Sequence, residues 1–436
     1  MTSTISIFWH RRDLRIDDNA GLYRALKGNH PVLPLFIFDT DILDNLEDKS
    51  DRRFDYIHQS IQAIKAQYQN MGSDILIKIG KPLDIWKELI REYHIADVYT
   101  NGDYEPYAIQ RDASIGEMLA ANKIGFNLFK DQVIFEKSEV VKPDGSPYTV
   151  FTPYSNKWKE RLKNPFYTKS YPIEKYCKNL AAVAHPMDMP SIEDLGFEKT
   201  DLEFTPPIYS AEIIRHYHET RDIPSIDGTS KMSMHLRFGT ISIRKFVAEV
   251  QTINEKYLNE LIWREFYMMI LFHFSHIVDK AFKSKYDRIE WRNHEGEFKA
   301  WCEGKTGYPI VDAGMRQLNA TGWMHNRVRM IVGSFLVKHL LIDWRWGEAY
   351  FAAKLNDFEQ SSNVGGWQWC AGSGNDAAPY FRIFSPKAQT EKFDPKLVYI
   401  RHWIPELDSF DYPAPIVDHA FARDRCLKVF KEALAE

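Results

Sequence analysis

The stretch ISIFWHRRDLRIDDNAGLYRALKGNHPVLPLFIF (5–38) decides the fold of the first part of the chain. ISIFW (5–9) and PVLPLFIF (31–38) are apolar runs of strand length without polar alternation, as expected of strands covered on both faces. Between them DDNAGLYRALKG (17–28) opens on Asp and Asn and closes on Gly, which reads as a capped helix. The alternation continues outward. A helical pattern at 51–70 precedes the strand DILIKI (74–79), a helix at 82–94 and the strand ADVYT (96–100). A helix at 105–122 and the strand FNLF (126–129) complete the series. This order predicts an α/β domain with a parallel, Rossmann-like sheet and helices on both faces. No GxGxxG or P-loop follows any of these strands, so the usual nucleotide signature is absent.

Beyond this domain (1–130) the character changes twice. Seven prolines between 143 and 190 break any long period, so 131–205 reads as an interdomain linker. From 206 to 436 the patterns at 209–220, 240–251, 255–277, 309–320, 324–341 and 347–355 are helical, which predicts a large all-helical C-terminal domain. A length of 436 residues calls for more than one core. No run of 18 apolar residues and no signal-peptide core occurs, and the four cysteines form no CxxC, so a cytoplasmic protein without a metal site is expected. The formal net charge of -4 argues against wholesale coating of nucleic acid but leaves room for a local basic groove.

The helical domain carries the chemistry. Its tryptophans are grouped, in DWRW (343–346) and GWQW (366–369), with Trp263 and Trp291 upstream. An indole is costly to bury because its N–H needs a partner, yet it stacks on flat heterocycles and passes single electrons. In EKYLNELIWREFYMMILFHF (255–274), Glu260, Trp263, Arg264 and Tyr267 share one helical face, and Leu258, Leu261, Ile262, Phe266 and Met269 cover the rest. A polar stripe on an otherwise apolar helix must face a cavity or a ligand. In TGWMHNRVRMIVGSF (321–335), Asn326, Arg329, Met330 and Gly333 share a face opposite the core residues Val328, Ile331, Val332 and Phe335, while Arg327 is rotated toward a neighbouring surface. Downstream, Asp357 can neutralise Arg329, and Gly365-Gly366 reads as a turn that lets backbone approach a planar group. Thr229, Ser230 and Ser233 place hydroxyls near a helix start that favours phosphate.

Together FWHRRDLRIDDN, DGTSKMSMHLRFG, ELIWREFY, GKTGYPIVDAGMRQLNATGWMHNRVRM, LLIDWRWGE and NVGGWQWCAGSGNDAAPYFRIFSPKAQTEKFD resemble the photolyase/cryptochrome flavoprotein family, and within it the bacterial class I cyclobutane pyrimidine dimer photolyases. The resemblance runs in order from about residue 5 to 407. It implies an antenna domain, a linker and a helical domain that binds FAD, active as the fully reduced anion. It implies that Tyr217, Thr229, Ser230, Lys231, Met232 and Ser233 clamp the FAD phosphates, and that Asn326, Arg329, Asp357, Phe358, Glu359 and Asn363 surround the flavin. Asn363 would stand beside flavin N5. Trp367, Trp344 and Trp291 match the tandem-tryptophan route that reduces the flavin. Glu260, Trp263, Asn326, Met330 and Trp369 match the pocket for a flipped dimer, and Arg264, Arg327, Arg382 and Gln389 lie at positions near the DNA strand.

The function so implied is light-driven repair of cyclobutane pyrimidine dimers in UV-damaged DNA, by a monomer needing neither membrane nor protein partner. Two related readings differ at single positions. A blue-light receptor (cryptochrome) usually departs from Asn at position 363 and often carries a long tail after the helical domain. A (6–4) photolyase would place histidines at 326 and 330, where this chain has Asn326 and Met330. Val364 and Glu359 stand where many relatives have Asn and Asp. In NGDYEPYAIQRD (101–112), Tyr107-Ala108 occupies the place of the Asn-Glu pair of folate-binding members. This disfavours folate and leaves a deazaflavin, FMN or no antenna chromophore.

Overall fold

In the computed structural model, which describes residues 4–435, the chain divides into two compact units. One takes in the chain up to Glu139, Lys159–Tyr209 and Met232–Thr252. The other takes in Val140–Trp158, Ser210–Lys231 and the chain from Ile253 on.

The first unit is built on five parallel strands: β1 (Ile5–His10), β2 (Val32–Asp39), β3 (Leu76–Gly80), β4 (Ile95–Asn101) and β5 (Gly125–Phe129). Their order is β3-β2-β1-β4-β5. Side chains alternate across a strand, so one sequence feeds two cores. Ile5, Ile7 and Trp9 with Leu33, Leu35 and Ile37 pack against Trp86 and Leu89 of the helix Pro82–Glu92 and Ile115 and Leu119 of the helix Pro106–Ala121. Phe8, Val32, Phe36 and Phe38 face the other way, onto Leu22 of the helix Ala20–Leu26 and Phe54 and Ile61 of the helix Arg52–Asn70. Asn19 caps the first of these helices, its side chain accepting from the Leu22 N–H, as the Asp/Asn start signal predicted. Because β1 feeds β2 on one side and neighbours β4 on the other, the strand order reverses between β1 and β4. Such a switch point opens a crevice at the carboxyl ends of the strands.

A buried charge network locks the loop after β1. Arg244 donates to Asp18 and Asp131, Arg15 donates to Asp131 at 2.7 Å, and the Tyr171 N–H donates to Asp18 at 2.7 Å. Each ion meets an opposite charge and further hydrogen bonds, which a buried ion pair requires to be tolerated.

The prolines of 131–205 hide regular structure. The helix Phe151–Leu162 lies there, with Pro153 in its first turn where a missing N–H costs nothing, followed by the 3₁₀ turns Pro165–Thr168, Ile173–Lys175 and Cys177–Asn179. In the second unit the predicted helices appear as Ala211–Thr220, Glu255–His273, Pro309–Thr321, Asn326–Ser334 and Trp344–Lys354. The pattern read at 324–341 continues past Ser334 as a π turn, Phe335–His339. Gly365 and Gly366, expected in a turn, lie instead inside the helix Gln360–Ala371. The carboxylate of Glu359 caps that helix by accepting from the Ser361 and Ser362 N–H groups, which offsets part of the helix cost of two glycines.

Candidate functional site

The helix Glu255–His273 starts where Asn254 accepts from the N–H groups of Lys256 and Tyr257. Leu258, Leu261, Ile262, Phe266 and Met269 are buried, and Glu260, Trp263, Arg264 and Tyr267 form the half-buried stripe that the 3.6-residue period predicts. Trp263 lies flat on Phe151, with ring centroids 3.8 Å apart and planes 4° from parallel. One face of the indole is therefore covered, and the opposite face is the one on which a base can stack. Burial pushes the proton affinity of the Glu260 carboxyl up; the Arg221 guanidinium, which donates to it, opposes this, and the net direction is upward.

Arg327 and Asn326 begin the next helix of the site, which His325 caps through a bond from the Arg327 N–H. The Arg327 guanidinium lies 4.4 Å from the Phe393 ring centroid and donates to Asp222 through Nε and Nη2, at 3.1 and 2.7 Å. Asn326 is exposed and Met330 half-buried. Trp369 packs at 6.4 Å against Phe384, over which the exposed Arg382 also lies. The Gln389 side-chain oxygen is buried without a hydrogen-bond partner.

A second group of polar side chains surrounds the helix Gln360–Ala371. Arg329 donates to the Met324 carbonyl at 2.8 Å and to Asp357 at 2.9 Å, so the expected neutralising pair is formed. The other carboxylate oxygen of Asp357 is buried and has no partner. Asn363 donates its amide N–H₂ to the Glu348 backbone carbonyl at 3.0 Å and to the Glu348 carboxylate at 2.8 Å. A carbonyl only accepts, so the amide orientation is determined, and the Asn363 oxygen is the atom left for an outside donor. Burial raises the proton affinity of Glu348. A Cβ at Gly366 would meet no atom within 4 Å, whereas one at Gly365 would strike the Tyr267 ring at 2.3 Å. An orphaned carboxylate oxygen, an oriented amide acceptor and open space beside a helix backbone fit a planar ligand with ring N–H donors, as a flavin is. Phe358 is half-buried beside Asp357, and Glu359 spends its carboxylate on the helix cap described above.

Of the residues expected at the FAD phosphates, Tyr217 packs edge-on against Tyr257 at 4.9 Å, and the Ser230 and Tyr257 hydroxyls are hydrogen-bonded. Lys231 pairs with Asp227 at 2.9 Å and lies over the Trp323 ring, and Thr229 is half-buried. Met232 and Ser233 belong to the first unit, where buried Met232 precedes the short helix Ser233–Phe238. Among the tryptophans, Trp367 is buried edge-on against Phe351 (5.0 Å) and Trp301 (6.1 Å). Trp344 is buried under the Arg345 guanidinium, and half-buried Trp291 meets Phe430 at 5.9 Å.

In the first unit the switch point gathers a separate cluster. Arg11, just after β1, donates to Asp112 and to the Asn101 carbonyl at the end of β4. Tyr107 donates to Asp39, at the end of β2, at 2.7 Å, and Arg111 faces the same carboxylate. The Arg11 and Arg111 guanidiniums lie 5.0 and 4.9 Å from the Trp9 ring centroid.

Several of these residues are invisible to periodicity. Arg221 and Asp222 fall in a turn, Glu348 sits on a different helix from Asn363, and Phe151 follows a proline-rich stretch. Trp301 stands in AWCEGK, apart from the grouped tryptophans. Only the pairing of a Glu with an Asn, or of one aromatic with another across the fold, gives them meaning, and that pairing is tertiary. No helix among the described residues is long and apolar enough to cross a membrane.

The sequence matches the family model described as DNA photolyase over residues 6–172 and that described as the FAD binding domain of DNA photolyase over residues 256–411. It is 35% identical to the deoxyribodipyrimidine photo-lyase of Halobacterium salinarum, across 98% of this chain and 99% of that one. A bacterial class III photolyase from Agrobacterium tumefaciens has the same fold with a TM-score of 0.86 and 32% identity, covering 100% of this chain and 99% of its own. An archaeal photolyase from Sulfolobus tokodaii, solved with two FAD molecules, follows at 0.82 and 31%, covering 99% of this chain and 100% of its own.

Proposed function

The chain belongs to the DNA photolyase family, and from that membership we propose that it is a deoxyribodipyrimidine photo-lyase, which splits cyclobutane pyrimidine dimers in UV-damaged DNA using light. Fully reduced FAD, when bound and excited, supplies the electron that opens the cyclobutane ring and receives it back. Every other task falls to side chains. A dimer cannot reach a buried flavin from within a duplex, so it is flipped out, at lower cost than a normal base because its stacking is already damaged. The face of Trp263 opposite Phe151, together with Trp369, replaces the lost stacking, at roughly 1–3 kcal/mol per base. Glu260, whose proton affinity burial raises, donates a hydrogen bond when protonated to the pyrimidine carbonyl where negative charge develops. Asn326 and Met330 complete the pocket, and Arg264, Arg327, Arg382 and Gln389 hold the strand.

Asp357, Arg329 and Asn363 would hold the flavin, with the Asn363 oxygen left to accept from a flavin N–H. Tyr217, Thr229, Ser230 and Lys231 would hold the phosphates, and Trp367, Trp344 and Trp291 would carry electrons inward. The observation that carries this reading is a carboxyl of raised proton affinity beside an indole whose back is already covered, on one helix face. The test is illumination of the purified, reduced protein with a thymine-dimer oligonucleotide. Loss of dimer only in the light is expected, and unchanged dimer content overturns the reading.

An antenna chromophore of the flavin type, a deazaflavin or FMN, is proposed at the switch point, outside the carboxyl ends of β1 and β4, where ligands bind in open parallel sheets. The second FAD of the archaeal relative supports a flavin there rather than folate. Spectra of the chromophores released on denaturation decide it. The protein is proposed to act in the cytoplasm as a monomer without a protein partner.

A further inference from the structure

The turn that follows the helix Ala211–Thr220 does two things with two consecutive residues. Arg221 donates to the Glu260 carboxylate, and Asp222 accepts from Arg327 through Nε and Nη2 of the guanidinium. Glu260 is the residue read above as meeting the lesion, and Arg327 the one read as meeting the strand. The Arg327 side chain is 17% exposed, and Phe393 lies against its guanidinium. The Asp222 Oδ1 that accepts from both Nε and Nη2 sits on the guanidinium edge where a phosphate oxygen would sit, because each is an anionic oxygen acceptor for the arginine fork. Asp222 remains 42% exposed, so it can leave.

We propose that Asp222 is a selectivity residue: it occupies the phosphate position on Arg327 in the free protein, and Arg221 ties that contact to the lesion pocket. The inference rests on the roles proposed for Glu260 and Arg327. Any DNA can offer Arg327 a phosphate, but it must displace Asp222 to do so. A flipped dimer engages Glu260 and draws it away from Arg221. As Arg221 and Asp222 share one turn, that displacement also loosens Asp222 from Arg327. Undamaged DNA bears the cost of opening the pair alone, and damaged DNA bears little of it.

The test compares D222N, R327A and the D222N/R327A double variant with the parent, each carrying FAD, for binding in the dark to one duplex with and without a thymine dimer. D222N is expected to tighten binding to the undamaged duplex about two- to fivefold, the worth of a partly exposed ion pair, with the effect fading at high salt. Binding to the dimer duplex is expected to tighten less, so the ratio between the two falls. In the R327A background the substitution is expected to change neither affinity appreciably, since Asp222 acts through Arg327. Equal tightening of both duplexes, no tightening, or the same tightening with and without Arg327 each overturns the proposal. A general loss of negative charge produces the last of these. If R327A itself leaves DNA binding unaltered, the assignment of Arg327 to the strand fails, which is a different result from D222N failing while R327A weakens binding.

Discussion

Glu260 is the residue proposed to meet the substrate, and two opposing effects act on it. Burial raises its proton affinity, Arg221 lowers it, and burial wins. Replacing it with Ala is expected to slow dimer splitting by about tenfold, the scale of one charge-assisted hydrogen bond. FAD content should be kept, because no atom of Glu260 is assigned to the cofactor; splitting and FAD absorbance measured on one preparation check this. The sign of the pH dependence follows from the direction of the shift. A carboxyl with raised proton affinity keeps its proton above the ordinary 4.5 and loses it as pH rises, so splitting should decline with rising pH and the decline should vanish in Glu260→Gln. Asn363 offers a second test. Asn363→Asp would set a carboxylate against the buried Glu348 carboxyl, 2.8 Å from the present amide nitrogen. It should slow photoreduction to the fully reduced flavin, followed by absorbance under the same light and reductant.

At the scale of elements, the helix Gln360–Ala371 carries two glycines with opposite meanings. Gly365→Ala would push a methyl group into Tyr267 and is expected to destabilise the apoprotein by about 1–3 kcal/mol. Gly366→Ala meets nothing, so it should stabilise the apoprotein by up to about 1 kcal/mol while reducing FAD retention. Melting of apoprotein and FAD stoichiometry, measured on both variants, separate the two. The tryptophan route is likewise a matter of packed elements. Trp367 touches Trp301, which stacks near Phe298, and Phe298 meets Trp346. If electrons also use this series, Trp344→Phe should leave residual photoreduction that Trp344→Phe with Trp301→Phe removes, as read by the rate of loss of oxidised-flavin absorbance.

Across the whole molecule, three of the buried histidines, His235, His325 and His339, bear on stability in acid. Burial holds His235 and His325 down to about 4 and His339 to about 3, so each is neutral in the folded state. In the unfolded chain each takes a proton near its ordinary 6.5. Their contribution is therefore complete above about 6.5 and is lost as pH falls toward about 4, on the order of 3 kcal/mol for each ring. Melting temperature should stay flat above neutrality and fall steeply through that window. His325→Asn keeps an acceptor for the helix cap and should make the fall shallower.

The sequence by itself determined the parallel sheet, because short apolar runs alternating with stretches of 3.6-residue period are written in consecutive residues and need no partner to be read. It likewise placed Glu260, Trp263, Arg264 and Tyr267 on one face, and paired Arg329 with Asp357 by charge. It did not show that GWQW continues a helix, since the Glu359 cap that stabilises those glycines is a contact whose strength composition does not reveal. Nor could it supply Phe151 behind Trp263, Glu348 orienting Asn363, or Asp222 on Arg327. These partners lie 112, 15 and 105 residues apart along the chain. Local periodicity carries no information at such separations, and only the packing of one element on another brings the atoms within hydrogen-bond or van der Waals reach.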